Sequence, residues 1–450
     1  MDAYNTPLRQ ALEKLLAENR VRMHMPGHKG RLPYPFGEAA RYDFTEVEGA
    51  DSLFEASGPL LELERRLAAA YNAGASLLSA GGSTLCIQTM LYLARRRGKK
   101  ILAGRNLHRA AVSAMGLLGL EPVWIPCPTG WGDRYGIDGL SLPPDPQAVE
   151  TLLGQHPDAA AVYITSPDYF GQMADIPAIS ELCRSRGCLL LVDNAHGAHL
   201  SRFRAAMHPM QLGADLCCDS LHKSLPVLTG GAALHMADPA FYPEAKYAAS
   251  LFGSTSPSYL VMLSADMALE VIEGTDDSLL RLGGAVGAMK DTLAEKGYQT
   301  IRSFVCDPLK LTVGFAPLGY TGREFGDYLR RHGIEPEYVS GWVAVFMPSL
   351  ATTPQELARL EQVLLQLPPR PALEPPWYSG KLPRQPMTLA EAMNRPHLPL
   401  PVEQSEGRVA ARLVSRCPPG IPLAVPGEEI NKETIFALKT SGESHIYVVK

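Results

Sequence analysis

The chain has 450 residues, a formal charge of −5, 46% hydrophobic and 20% charged residues, which is ordinary for a soluble globular enzyme of two to three domains. That charge leaves no basic footprint for nucleic acid, and no apolar run approaches the roughly 20 residues of a membrane span. The eight cysteines have no CxxC pair and no metal-ligand spacing, so reduced thiols in a cytoplasmic protein without a metal are the simplest account.

In chain order, residues 1–20 read as a polar amphipathic helix rather than a signal peptide. Ser76-Leu77-Leu78-Ser79-Ala80-Gly81-Gly82-Ser83-Thr84 ends a short strand and opens a helix running to about residue 97. Its glycines allow close backbone approach, and the helix start offers N–H groups and a positive dipole end, so Ser83 and Thr84 are candidates for holding a phosphate. An ordinary helix cap uses the same residues, and the spacing matches neither a P-loop nor a dinucleotide fingerprint. Strands expected at residues 101–103, 122–125, 160–165, 188–192 and 216–218 alternate with helices such as 108–118 and 177–186. This alternation predicts an α/β fold with a doubly wound, mostly parallel sheet. Residues 126–146 read as a long surface loop, and 258–296 as a helical run. Strands at 309–315 and 342–346 around a helix at 322–332 predict a small α+β domain. A proline-dense linker at 367–386 leads to a last module, 387–450. The expected limits are an N-terminal segment 1–45, a major domain 46–296, a small domain 297–370, and linker plus C-terminal module 371–450.

Two segments carry chemistry. Cys188-Leu189-Leu190-Leu191-Val192-Asp193 reads as a buried parallel strand ending in a carboxylate, at the sheet edge where ligands gather in open α/β folds. There Asp193 could keep a pyridine nitrogen protonated, Ala195 is small enough for a ring to lie flat, and His196 could reach a phenolic oxygen. Asp193 could equally be a cap or metal ligand, and His196 a satisfied loop imidazole. The second segment, Asp219-Ser220-Leu221-His222-Lys223, places a lysine where an apolar strand breaks into a polar turn. Partial burial lowers an ammonium's pKa and frees the amine as a nucleophile, while Ser220 and His222 suit a phosphate. A lone His-Lys pair is more often a surface turn. Strand acid and turn lysine together point to pyridoxal phosphate (PLP).

With these residues the chain resembles the Orn/Lys/Arg decarboxylases, PLP enzymes of the aspartate-aminotransferase fold type (fold type I). The resemblance spans almost the whole sequence. It rests on His24-Met25-Pro26-Gly27-His28-Lys29-Gly30, Arg105-Asn106-Leu107-His108 and Thr165-Ser166-Pro167-Asp168-Tyr169-Phe170-Gly171. It continues through Asp193-Asn194-Ala195-His196-Gly197-Ala198-His199, the lysine turn, Ser254-Thr255-Ser256-Pro257-Ser258-Tyr259, Pro418-Pro419-Gly420-Ile421-Pro422 and Pro426-Gly427-Glu428. It implies that Lys223 binds the cofactor covalently and later delivers a proton, Asp193 pairs with the ring nitrogen, and His108 stacks on the ring's open face. It also implies that Ser83, Thr84, Ser220 and His222 hold the phosphate, and that the segment with Ser256 and Tyr259 reaches the cofactor across a dimer interface. Glu428 is the candidate for a substrate's distal cation, with Tyr259 and Asp168 also at the substrate.

The sequence departs from the family pattern at Asn194, where an acid is usual, at Asp168, where threonine is usual, and at Gly230-Gly231 and Arg109-Ala110. Asp168 could shift the chemistry as a carboxylate near the phenolic oxygen, or could simply cap the next turn. The first motif starts at His24, so the receiver-like N-terminal wing of larger members is not expected, and a homodimer or dimer of dimers is. The implied reaction is α-decarboxylation of lysine, arginine or ornithine to the amine, with polyamine biosynthesis as its setting. Transamination would share the cofactor residues but needs a carboxylate clamp and would leave aminated cofactor. A PLP-binding protein with little turnover would show cofactor absorbance and release no amine.

Overall fold

The computed structural model describes residues 6–18, 29, 37–127, 137–301, 306–375, 381–415 and 420–450. The motif at residues 24–30 apart from Lys29, residues 128–136 of the expected loop, 376–380 of the expected linker, and Pro418-Pro419 lie outside them. The chain divides into two compact units, Met1–Leu93 with Leu191–Leu280, and Ala94–Leu190 with Arg281–Lys450.

Seven strands alternate with helices through the first half: β1 (Ala75–Ser79), β2 (Lys100–Gly104), β3 (Glu121–Ile125), β4 (Ala161–Thr165), β5 (Leu189–Asp193), β6 (Leu216–Asp219) and β7 (Ala232–Met236). In the first unit the order is β1-β7-β6-β5. β5 and β6 run parallel with Asp193 opposite Cys218, while β7 is antiparallel to β6 and to β1. The sequence reading did not anticipate β7, which brings antiparallel pairing to an otherwise parallel pattern. Burial explains why β5 and β6 read as unbroken apolar runs: Leu190, Leu191, Val192, Leu216, Cys217 and Cys218 are wholly buried. The helical run expected over residues 258–296 consists of two helices, Tyr259–Ile272 and Asp276–Glu295, separated where Gly274 takes φ +80°, a conformation that suits glycine and stops a helix. The N-terminal helix, Pro7–Ala17, buries Leu8 and Leu12, and the Asp266 carboxylate accepts the orphan N–H groups of Leu8 at 2.9 Å and Arg9 at 3.3 Å.

In the second unit β4, β2 and β3 lie side by side in that order, all parallel. Asp175 caps the helix Ile176–Arg186, and Gly187 at φ +68° ends it. A second, antiparallel sheet has the order β10-β11-β9-β8, built from β8 (Gln299–Thr300), β9 (Leu311–Gly314), β10 (Tyr338–Val339) and β11 (Val343–Phe346). Helices Gly322–Arg331 and Pro354–Leu365 both start in capping boxes, Thr321 with Glu324 and Thr353 with Glu356. Phe315 and Phe325 stack at 4.1 Å in the core these elements share with Leu311, Leu329 and Leu364. Each such fully buried side chain contributes about 1.5–3 kcal/mol. Near the C-terminus, His397–Pro401 pairs with His445–Val449 over a cluster of Val402, Ile430, Leu438 and Ile446. Among the described residues no helix is long and apolar enough to cross a membrane.

Candidate active site

In the first unit, the candidate residues gather at the C-terminal ends of β5 and β6. Asp193 is the last residue of β5, and one of its oxygens accepts the Ala195 N–H at 3.1 Å and the Cys218 thiol at 3.6 Å, fixing the carboxylate's rotation. The chain then turns through Asn194, whose N–H donates to the Cys218 carbonyl at 2.9 Å, to Ala195 and His196, both buried. β6 ends at Asp219 and is followed by a single helical turn, Leu221–Ser224, capped at Ser220. That turn brings the Lys223 Nζ to 3.1 Å from the His196 Nε2. The adjacent Ser220 Oγ is buried with no hydrogen-bond partner among the described residues, and such a group costs free energy unless something occupies it.

The phosphate-type cradle is linked to this turn through the glycine pair. The His222 Nδ1 donates to the Gly231 carbonyl at 2.9 Å, and the Gly230 carbonyl accepts the Gly82 N–H at 2.7 Å, at the start of the helix Gly82–Arg95. Ser83 and Thr84 lie in its first turn, partly buried and exposed respectively. The glycine pair has a local cause. Gly230 sits at φ +99°, and a Cβ on Gly231 would lie 2.3 Å from the Val227 side chain. Ser256 and its neighbours Ser254 and Thr255 are exposed. Tyr259 is fully buried and its hydroxyl donates to the Asp51 carbonyl at 2.5 Å. That bond anchors the Tyr259 helix to the main chain.

Sequence reasoning missed a buried network behind the lysine turn. The Asp219 carboxylate accepts from the Asn194 amide at 2.6 Å and the His208 Nε2 at 2.9 Å, with the His235 Nε2 at 3.3 Å. The His208 Nδ1 accepts the Met210 N–H at 3.3 Å, so in the neutral ring the proton lies on Nε2, facing Asp219. Cys217 brings its sulfur close enough for a metal-sized set with His208 and Asp219, but that tautomer favours a hydrogen-bond network over a metal. Burial alone would raise Asp219; His208 and His235 outweigh it and hold the acid below the usual carboxylate range. Asn194 thus serves as an uncharged donor to the Asp219 carboxylate. Burial also pushes the Cys217 and Cys218 thiols well up, which keeps them inert.

In the second unit, His108 is the N-cap of the helix Arg109–Leu117, its Nδ1 accepting the Ala110 N–H at 3.2 Å. Two residues expected at the substrate, Glu428 and Asp168, lie there too. Glu428 is 2% exposed, and Arg105 grips both its oxygens, Nε to Oε1 at 3.2 Å and Nη2 to Oε2 at 3.1 Å. The Val425 N–H adds a third bond at 2.9 Å. Its charge is thus paired within the chain, with Arg105. Glu428→Ala is expected to leave the largely buried Arg105 guanidinium with the Pro422 carbonyl at 3.0 Å but without its carboxylate, and to cost up to about 3–5 kcal/mol of stability, with Glu428→Gln milder, read by urea unfolding. Unchanged stability with a large rise in KM would return Glu428 to the substrate.

Asp168 caps the turn that follows it. Its Oδ1 accepts the N–H groups of Phe170 and Gln172, both at 2.9 Å, and its Oδ2 accepts the Gln172 side-chain amide at 2.9 Å. Burial raises its pKa from 3.8 to about 6 against these hydrogen bonds. Between those values the folded chain holds a proton that the unfolded chain has lost, so this contribution lowers stability as pH rises from 3.8 through about 6. Asp168→Asn, neutral throughout, should flatten that part of the Tm–pH profile. A slope identical to wild type would contradict the assignment.

Residues 6–283 match the model of the Orn/Lys/Arg decarboxylase major domain, and residues 379–440 that of the Orn/Lys/Arg decarboxylase C-terminal domain. The chain belongs to the Orn/Lys/Arg decarboxylase family. It is similar to an arginine decarboxylase of Halalkalibacterium halodurans, with 28% identity over 98% of this chain and 94% of the relative. The arginine decarboxylase of Bacillus subtilis is likewise 28% identical, over 97% of this chain and 93% of the relative. The solved lysine decarboxylase of Francisella novicida superposes with a TM-score of 0.84 at 16% identity, covering 99% of this chain and 81% of that one. That likeness gives the fold, the PLP-dependent fold type I. The enzyme is a decarboxylase of basic amino acids. The residues present fit PLP: a strand-end carboxylate, a lysine at a helical turn, a glycine-lined helix start and the unpartnered Ser220 hydroxyl.

Proposed function

We propose that the enzyme binds PLP on Lys223 and decarboxylates arginine, working as a cytoplasmic homodimer. The observation that carries the reading is the Lys223–His196 pair at the strand ends beside Asp193. PLP supplies an electrophilic carbonyl for the substrate's amino group and a protonated ring that takes up the electron pair left by the departing carboxylate. Asp193 keeps the proton on the ring nitrogen, and Ala195 leaves space beneath the ring. His196 orients the Lys223 amine and stands beside the phenolic oxygen. Ser83, Thr84, Ser220 and His222 hold the phosphate, the last two from the turn that also carries Lys223. His108, in its family role, covers the open face, and Lys223 Nζ holds the proton delivered to Cα of the product.

Arginine is favoured because two arginine decarboxylases match along nearly the full chain. Lysine is shorter and lacks the planar guanidinium, and a pocket separates methylene homologues by only about 1–3 kcal/mol each. The homodimer is supported by apolar side chains left at the first unit's surface. Tyr247 and Leu251, one helical turn apart on Tyr242–Phe252, are 54% and 50% exposed, and Leu228 is 51% exposed. The exposed segment with Ser256 follows that helix directly. Borohydride reduction of the PLP-loaded protein, followed by peptide mapping, tests the lysine. Label on Lys223 is expected; label on Lys246, Lys290 or Lys310 instead would overturn the assignment.

A further inference from the structure

We propose that Gly420, from the C-terminal module, is a positioning residue for the reaction, holding the His108 imidazole in its working orientation. The inference rests on the role proposed for His108 and concerns contacts within the second unit alone. His108 is pinned from one side by its own helix, through the 3.2 Å bond from the Ala110 N–H to its Nδ1. Its other edge meets Gly420. A Cβ on Gly420 would lie 2.6 Å from the ring's Cδ2 and 2.7 Å from its Nε2, closer than a side-chain carbon can approach. The Gly420 carbonyl also accepts the Arg109 N–H at 2.9 Å, tying this segment to the first turn of the helix that His108 caps. Gly420 itself takes φ +76°, a backbone conformation that glycine adopts without strain.

The ring is therefore held between its own helix and a residue more than three hundred positions later in the chain. Because Nδ1 accepts a hydrogen bond, the neutral ring carries its proton on Nε2, on the edge that Gly420 flanks. Adding a methyl group at Gly420 removes no titratable group and pushes the ring. Displacements of about 1 Å in a reacting group can cost about 100-fold in rate.

A double-mutant cycle on the PLP-loaded enzyme tests this. Gly420→Ala is expected to lower kcat at least about tenfold, with KM changed less, and to alter the cofactor's visible circular dichroism in the same sense as His108→Ala. In the His108→Ala background, where no ring remains to be struck, Gly420→Ala should lower kcat less than about twofold. Equal losses in both backgrounds, or a Gly420→Ala enzyme like wild type while His108→Ala is impaired, would overturn the inference. Wild-type kcat and dichroism in His108→Ala would instead sink the role proposed for His108. Should Gly420→Ala not fold, nitrogen-15 spectra of the wild-type enzyme, assigned with His108→Ala, decide the ring's state. A proton on Nε2 with Nδ1 accepting supports the clamp, and a proton on Nδ1 removes it.

Discussion

Lys223→Ala is expected to lower kcat for CO2 release on the order of 10³-fold while the protein still folds and binds PLP reversibly. Two proposed roles would be lost at once, the amine that fixes the cofactor and the proton delivered to Cα. The fold should survive because the side chain reaches out from a single helical turn, Leu221–Ser224, whose buried residues are Leu221 and Ser224. The phosphate contacts proposed for Ser83, Thr84, Ser220 and His222 do not involve Lys223, so retention is expected to weaken without vanishing. Absorbance titration with PLP and a radiometric CO2 assay separate the two effects. A Lys223→Ala enzyme within tenfold of wild-type kcat would remove the residue from the chemistry.

Asp193→Asn should have the next largest effect, lowering kcat by about 10²–10³-fold with a much smaller change in PLP affinity. Asparagine preserves the size of the side chain and can still accept the Ala195 N–H that Asp193 now holds at 3.1 Å. What disappears is the negative charge proposed to keep a proton on the ring nitrogen, and in that role it would matter most as electrons flow into the ring. The effect should therefore fall on kcat rather than on KM. Normal kcat in Asp193→Asn would contradict the electrostatic role. A large loss of PLP binding with unchanged turnover of the loaded fraction would make Asp193 a binding residue instead.

The parts of this molecule legible in the sequence are those whose physics is local. Cys188 to Asp193 announces a buried strand because both its faces are covered, so no polar alternation interrupts it, and the acid that ends it stands out. The same holds for the break from Cys218 into Ser220 and Lys223. The Arg105–Glu428 pair was not legible because the two residues lie 323 positions apart, and a carboxylate beside Pro-Gly looks the same whether it is paired or free. Asp168 carried two readings, and only coordinates place both its oxygens on the following turn. The partner of Asn194 was not legible because Asp219 comes from the neighbouring strand. Antiparallel β7 escaped notice since five residues after a glycine pair give too short a pattern to set direction. Gly420 was visible as part of a motif, while its contact with His108 follows from packing between segments distant in sequence.

The most direct measurement is CO2 release by the PLP-loaded enzyme from arginine, lysine and ornithine, with the amine product and any keto acid quantified in the same reactions. The account predicts CO2 and the corresponding amine in equal amounts, fastest from arginine, without keto acid. Keto acid with aminated cofactor and no CO2, or no product from any of the three at full PLP occupancy, would contradict it.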